Sequence, residues 1–317
     1  MARTLASGAT AAIGAGAEGE RADCLGHLAL VEALRGRLHR AGTAAAQATA
    51  PLTTGKPIPH PNPAALVALA WVHLERSELR EAHKRLKQAD TALRVIPDKL
   101  IGTLAWLAVA YGALAEQRIA AAAQIIASAR SGWPVPEWLD QRLSLVESRA
   151  YAAAGDFEAA LAAAGRASHD NSPDGAVTLA RAWVAAGDAQ NATRALAPVL
   201  ATDSEAPDRL RLQAWLVDAQ LCYQSGDRAR GRSSLASALR LAGPEQLRLP
   251  FVIERDWIGP VLRRDPELAH ATGACSPQPR ATIGSRLRKA PQIRPPFSRP
   301  RRLPNASGRC YGTCQAC

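Results

Sequence analysis

A short pattern that returns about every forty residues constrains this chain more than its composition does. Its clearest copy is Tyr151-Ala-Ala-Ala-Gly155-Asp156-Phe-Glu-Ala-Ala160. A second is Trp183-Val-Ala-Ala-Gly187-Asp188-Ala-Gln-Asn-Ala192, and a third is Cys222-Tyr-Gln-Ser-Gly226-Asp227-Arg-Ala-Arg-Gly231. Weaker copies begin at Val31, Trp71 and Tyr111, with turns at Arg35-Gly36, Glu75-Arg76 and Ala115-Glu116. The bulky anchor sits one helical turn before a break and packs across a hairpin. Glycine then supplies a left-handed helix end, and Asp opens the next helix. Nine positions after the anchor comes Ala120, Ala160, Ala192 or Gly231, small enough for two helices to approach closely; Arg40 and Arg80 break that rule in the first two copies.

The pattern predicts six antiparallel helix pairs at 20–35/37–50, 63–76/78–95, 98–115/117–131, 137–154/156–169, 174–186/189–201 and 207–225/227–242. Pro134, Pro136, Pro173, Pro207 and Pro244 punctuate them, and the five prolines of 51–63 form a linker inside the array. Alanine-rich, aromatic-poor composition favours helices over a sandwich or barrel. A single hairpin cannot bury its apolar face, whereas stacked hairpins can, curving into a superhelix with a concave surface. The expected fold is therefore all-α, a superhelix of about six helical hairpins over residues 20–271. Residues 1–19, rich in Ala and Gly, read as disordered and lack the Leu-rich run of an export signal. The longest uncharged run, Leu100–Ala115, is short for a membrane span and reads as a helix buried mid-array.

Aromatic anchor, Gly-Asp turn and small residue together resemble tetratricopeptide repeats of a degenerate, longer kind. More specifically, residues 17–271 resemble the helical repeat region of LuxR-type transcription regulators of the MalT kind. The stretches that carry this are Ala17–Leu34, Asn62–Trp71, Leu143–Tyr151 and Leu247-Arg-Leu-Pro-Phe251. In that family an ATPase precedes the repeats and a helix-turn-helix follows them. No G-x-x-x-x-G-K-[ST] is present, and Thr54-Gly55-Lys56-Pro57 lacks the second glycine, so ATP binding does not carry over. The resemblance implies an effector- or partner-binding sensor segment in the cytoplasm, with DNA contacted only through the helix-turn-helix of an intact relative.

Nine of the eleven net positive charges belong to the tail, which leaves the body near neutral. Residues 272–317 carry nine Lys or Arg, seven prolines and no acid, and read as a disordered basic segment. Regrouped from the third base of each codon, residues 303–317 permit Ala-Glu-Arg-Glu-Arg-Glu-Val-Leu-Arg-Tyr-Val-Ser-Gly-Met-Leu. That string looks like the first helix of a LuxR-type helix-turn-helix, so a shifted reading frame near residues 270–272 is expected. Cys310, Cys314 and Cys317 then lose their resemblance to a metal site. Cys24 and Cys222, far apart in the body, supply no disulfide framework.

Chemistry-bearing motifs are otherwise missing. His27, His39, His60, His73, His83, His169 and His270 form no H-E-x-x-H and no i,i+4 pair, and there is no G-x-S-x-G elbow. The chain reads as a non-enzyme without cofactor or metal. Two residues before the anchors stand Arg149, Arg181 and Gln220, the candidate groove. Facing the concave surface, two arginines could meet a carboxylate or phosphate; solvation or a local ion pair is the competing account. A protein partner or small effector would bind there, with no membrane involved. A stand-alone tetratricopeptide-like interaction scaffold is the alternative reading.

Overall fold

The computed structural model describes residues 1–15, 17–50, 61–168 and 172–271. Among them there are helices and turns but no strand. Twelve helices form the six expected pairs: α2 (Glu18–Leu34) with α3 (Leu38–Thr49), α4 (Pro63–Glu75) with α5 (Leu79–Val95), α6 (Lys99–Ala115) with α7 (Ile119–Arg130), α8 (Glu137–Ala154) with α9 (Phe157–Ala167), α10 (Pro173–Ala185) with α11 (Ala189–Leu200), and α12 (Asp208–Ser225) with α13 (Arg228–Ala242). A helix α1 (Ala2–Gly14) precedes them, and α14 (Leu249–Ile253), α15 (Arg255–Arg264) and α16 (Pro266–Ala271) follow. The basic tail and most of the proline linker lie outside the described residues, as do His60 and His169.

The N-terminal stretch departs from the expected disorder. Its alanines carry high helix propensity, and α1 packs along α2, burying Ala9 and Ala12. A Cβ at Gly8 would meet the Cys24 sulfur of α2 at 3.2 Å.

The turns explain the repeat. Each hairpin turn holds one left-handed residue: Gly36, Ser77, Gln117, Gly155, Gly187 and Gly226. In the first five, the next N–H (Arg37, Glu78, Arg118, Asp156, Asp188) reaches back five residues to the carbonyl of Glu32, His73, Ala113, Tyr151 or Trp183, at 2.8–3.0 Å. This is a Schellman ending that satisfies orphan helix carbonyls. In the last three copies Asp156, Asp188 and Asp227 then cap the following helix, accepting from the N–H of Ala159, Asn191 and Arg230.

Aligning the hairpins on these left-handed residues corrects the sequence register. Trp71 and Tyr111 are not equivalent to Tyr151, because their helices run two residues further before turning. The small residue five places after the turn becomes Ala41, Ala82, Ala122, Ala160, Ala192 and Gly231, all buried. Arg40 and Arg80 are exposed neighbours and break no rule. At Gly231 the approach is close, since a Cβ there would meet the Tyr223 ring at 3.1 Å and the Cys222 Cβ at 3.3 Å.

First helices are wedged between neighbours and bury residues on every side, as α6 does with Ile101, Leu104, Leu107, Tyr111 and Leu114. Second helices bury one stripe, as α5 does with Ala82, Leu86, Ala89 and Leu93. No helix among the described residues is long and apolar enough to cross a membrane. The array curls until its last hairpin meets its first two. Arg209 of α12 lies against Gly36 and donates to Glu75 of α4 at 2.9 Å. His39 at the start of α3 donates its N–H to Glu245 at 2.9 Å.

Candidate functional site

With the corrected register, one position recurs on the inner side of every first helix, six residues before the left-handed turn. It holds Leu30, Trp71, Tyr111, Arg149, Arg181 and Gln220 in chain order. The sequence reading found the last three; Trp71 and Tyr111 share their row and are not hairpin anchors. Trp71 and Tyr111 meet edge to face, with ring centroids 5.6 Å apart and planes at 65°, an arrangement aromatic quadrupoles favour. The row thus changes character along the superhelix, from aromatic to cationic.

Arg149 and Arg181 lie close enough for their charges to interact, and both are buried rather than facing an open groove. Arg149 is 9% exposed and Arg181 8%. Arg149 donates to the Gln213 side-chain carbonyl at 2.7 Å, and Arg181 pairs with Glu254. The physical reason is the chain beyond α13, which turns back across the inner face. The Arg248 N–H donates to the carbonyl of Glu75, the last residue of α4, at 2.7 Å. The Arg255 guanidinium donates to the carbonyl of Ala115, the last residue of α6, at 2.6 Å. Two orphan helix-end carbonyls are thereby satisfied. Phe251 fills the inner core at 1% exposure, and Ile258 is fully buried. Gln220 stands two turns beyond Gln213 on the same face of α12. It is half-buried, and no hydrogen bond among the described residues ties it to the arginine pair.

Sequence reasoning missed Glu75, Arg209, Gln213 and Glu254. Arg209 and Gln213 could have been found by following the face of Gln220 back along α12. Glu75 and Glu254 carry no such signal, because they reach the site only once the superhelix has curled. The electrostatics follow from the pairing. Burial, reinforced by the neighbouring Arg181 charge, pulls the Arg149 guanidinium down to about 10. Burial would do the same to Arg209, but the Glu75 carboxylate reverses it and holds Arg209 above its ordinary value. Arg181 leaves two nitrogens, Nε and Nη2, buried without a partner, as does the indole N–H of Trp71. A small enclosed cavity of about 10 Å³ lies beside the cluster, lined by Trp71, Glu75, Leu107, Tyr111, Arg142 and Arg209. It has room for one water molecule.

The model of the MalT-like TPR region matches residues 18–264, from the start of α2 to the end of α15. The chain belongs to the MalT-like TPR family. The match takes in the inward-turning segment 244–264 as well as the hairpins, so the filled inner face lies within the MalT-like TPR region. No curated protein matches the sequence. Among the described residues no group of His, Cys, Asp and Glu is placed to hold a metal ion.

Proposed function

We propose that this chain is the sensor segment of a LuxR/MalT-type bacterial transcription regulator, and that its inner face recognises a small effector or a protein partner without turning it over. What carries the reading is the inner row itself. One recurrent position concentrates Trp71, Tyr111, Arg149 and Arg181, residue types that stack on and hydrogen-bond a ligand. The MalT-like TPR match over 18–264 supplies the family context. Binding at this face would change how the last hairpin and segment 244–264 close on the first two hairpins. In an intact relative that shift would bias oligomerisation and DNA binding.

The test is the DNA around the coding region. The reading expects an in-frame P-loop ATPase upstream and a helix-turn-helix in the third-base frame of the tail. A promoter directly upstream, with no helix-turn-helix in that frame, would refute it. A stand-alone interaction scaffold is the second reading, favoured by an open cleft of about 780 Å³ between α1, α2 and α3. That cleft is lined in part by Arg3, Arg35, Arg37, His39 and Arg40.

A further inference from the structure

The buried charges of the inner face do not balance. Arg149, Arg181 and Arg209 face Glu75 and Glu254. Arg209 is matched by Glu75, whereas Arg149 and Arg181 share the one carboxylate of Glu254: Arg181 pairs with it directly, and Arg149, hydrogen-bonded to the neutral amide of Gln213, feels its charge from further off. Two buried cations that share one counter-charge are costly. Arg181 is also under-used. Glu254 takes its Nη1, while Nε and Nη2, the edge that grips a carboxylate or phosphate with two parallel hydrogen bonds, are buried and unpartnered. Glu254 itself belongs to no hairpin. It sits between the short helices α14 and α15, with its second oxygen accepting from the Trp257 indole at 3.1 Å.

We infer that Arg149 and Arg181 form a binding site for a small oxyanion, the carboxylate or phosphate group of an effector, and that Glu254 holds this site as an internal stand-in. The inference rests on the inner face being the binding face. Both arginines are buried and the Glu254 carboxylate already sits against Arg181, so binding requires Glu254 to leave. Because Glu254 lies three residues after Phe251 and next to Arg255, which hold the segment on α4 and α6, its departure loosens segment 244–264 from those helices. In the unsubstituted chain, ligand occupancy and docking of Glu254 are therefore mutually exclusive, and the site reports its state through the chain's own C-terminal helices.

Chemical rescue tests this on the full chain. Glu254→Ala removes the stand-in and leaves a space of carboxylate size; Glu254→Gln removes the charge but keeps the space filled. Thermal unfolding is followed in acetate, inorganic phosphate and chloride at matched ionic strength. An oxyanion at ten times its dissociation constant is expected to raise the Glu254→Ala midpoint by about 3–6 °C relative to chloride. Glu254→Gln is expected to show no such difference. Rescue by acetate alone, or by phosphate alone, identifies the chemistry; rescue by both defines a general oxyanion site. Indistinguishable midpoints in the three salts overturn the inference, while an inner face that binds neutral or peptide ligands stays intact. If Glu254→Ala does not fold, the wild-type chain decides. Phosphate or acetate, but not chloride, is expected to speed tryptic cleavage after Arg255 and Arg263, and equal cleavage in all three salts overturns it.

Discussion

Replacing Phe251 by alanine asks whether the inward-turning segment is part of the core or a strap laid over it. Phe251 is 1% exposed, on a five-residue helix that touches α4 and α6. A helix that short contributes almost nothing by itself, so its place depends on burial of this ring and its neighbours. A buried aromatic removes about 150–250 Å² from water, which at ~25 cal/mol per Å² corresponds to about 4–6 kcal/mol. Measured truncations of buried Phe cost about 3–5 kcal/mol. For a chain of this size each kcal/mol lowers the midpoint by about 2–4 °C. The expected loss is thus several kcal/mol in urea unfolding followed by circular dichroism at 222 nm. Phe157→Ala is the control, since that ring is 41% exposed, and about 1 kcal/mol or less is expected there. A Phe251→Ala loss no larger than the control would refute the reasoning.

The corrected repeat register predicts that Ala82→Leu destabilises by about 1–3 kcal/mol through overpacking. Arg80→Ala should stay within about 0.5 kcal/mol, and the reverse ranking in urea unfolding would restore the original alignment. Ser77 holds the left-handed turn of its hairpin at φ 61°, so Ser77→Gly should gain about 0.5–1 kcal/mol by relieving the side-chain clash; a loss would mean the turn is not strained. The Arg232 guanidinium, 2.5 Å from Asp265, holds that carboxyl below its ordinary value, helped by the Leu268 N–H. A lowered folded value means the stabilising contribution is complete above the ordinary carboxylate range and is lost as pH falls through the lowered value. Arg232→Gln should move the Asp265 titration midpoint, read by carboxyl carbon NMR, back up toward 3.8; an unmoved midpoint would remove Arg232 as the cause.

The hairpins were legible wherever their turns were built from glycine and aspartate. Gly155-Asp156, Gly187-Asp188 and Gly226-Asp227 announce both the left-handed residue and the following cap, and those boundaries fall within about two residues. Ser77 and Gln117 do the same backbone work without any sequence signature. The large aromatics Trp71 and Tyr111 therefore drew the alignment to themselves, two residues out of step. The α1 helix was hidden by its glycines, because the partner face on α2 that orders it cannot be seen in a local window. Segment 244–264 was hidden by Pro250 and Pro260. Proline at the first turn of α14 is compatible with a helix start, but which surface that helix meets depends on curvature summed over six hairpins. The arginine pair was legible as a position; its partners were not, for the same reason.

An open solenoid is a one-dimensional object, in which each repeat feels only its neighbours and folding can nucleate anywhere and spread. The contact of α12 with α4, and of His39 with Glu245, closes that line into a loop. These contacts join residues 134 and 206 positions apart. Such closure raises the contact order of a fold that is otherwise local, and its entropy must be met before the contacts reward it. Neighbouring hairpins can stack quickly through local contacts, but the native state is complete only when the two ends find each other. Cooperativity then comes from ring closure as well as from neighbour stacking, and a ligand that opens the seam acts on the whole array at once.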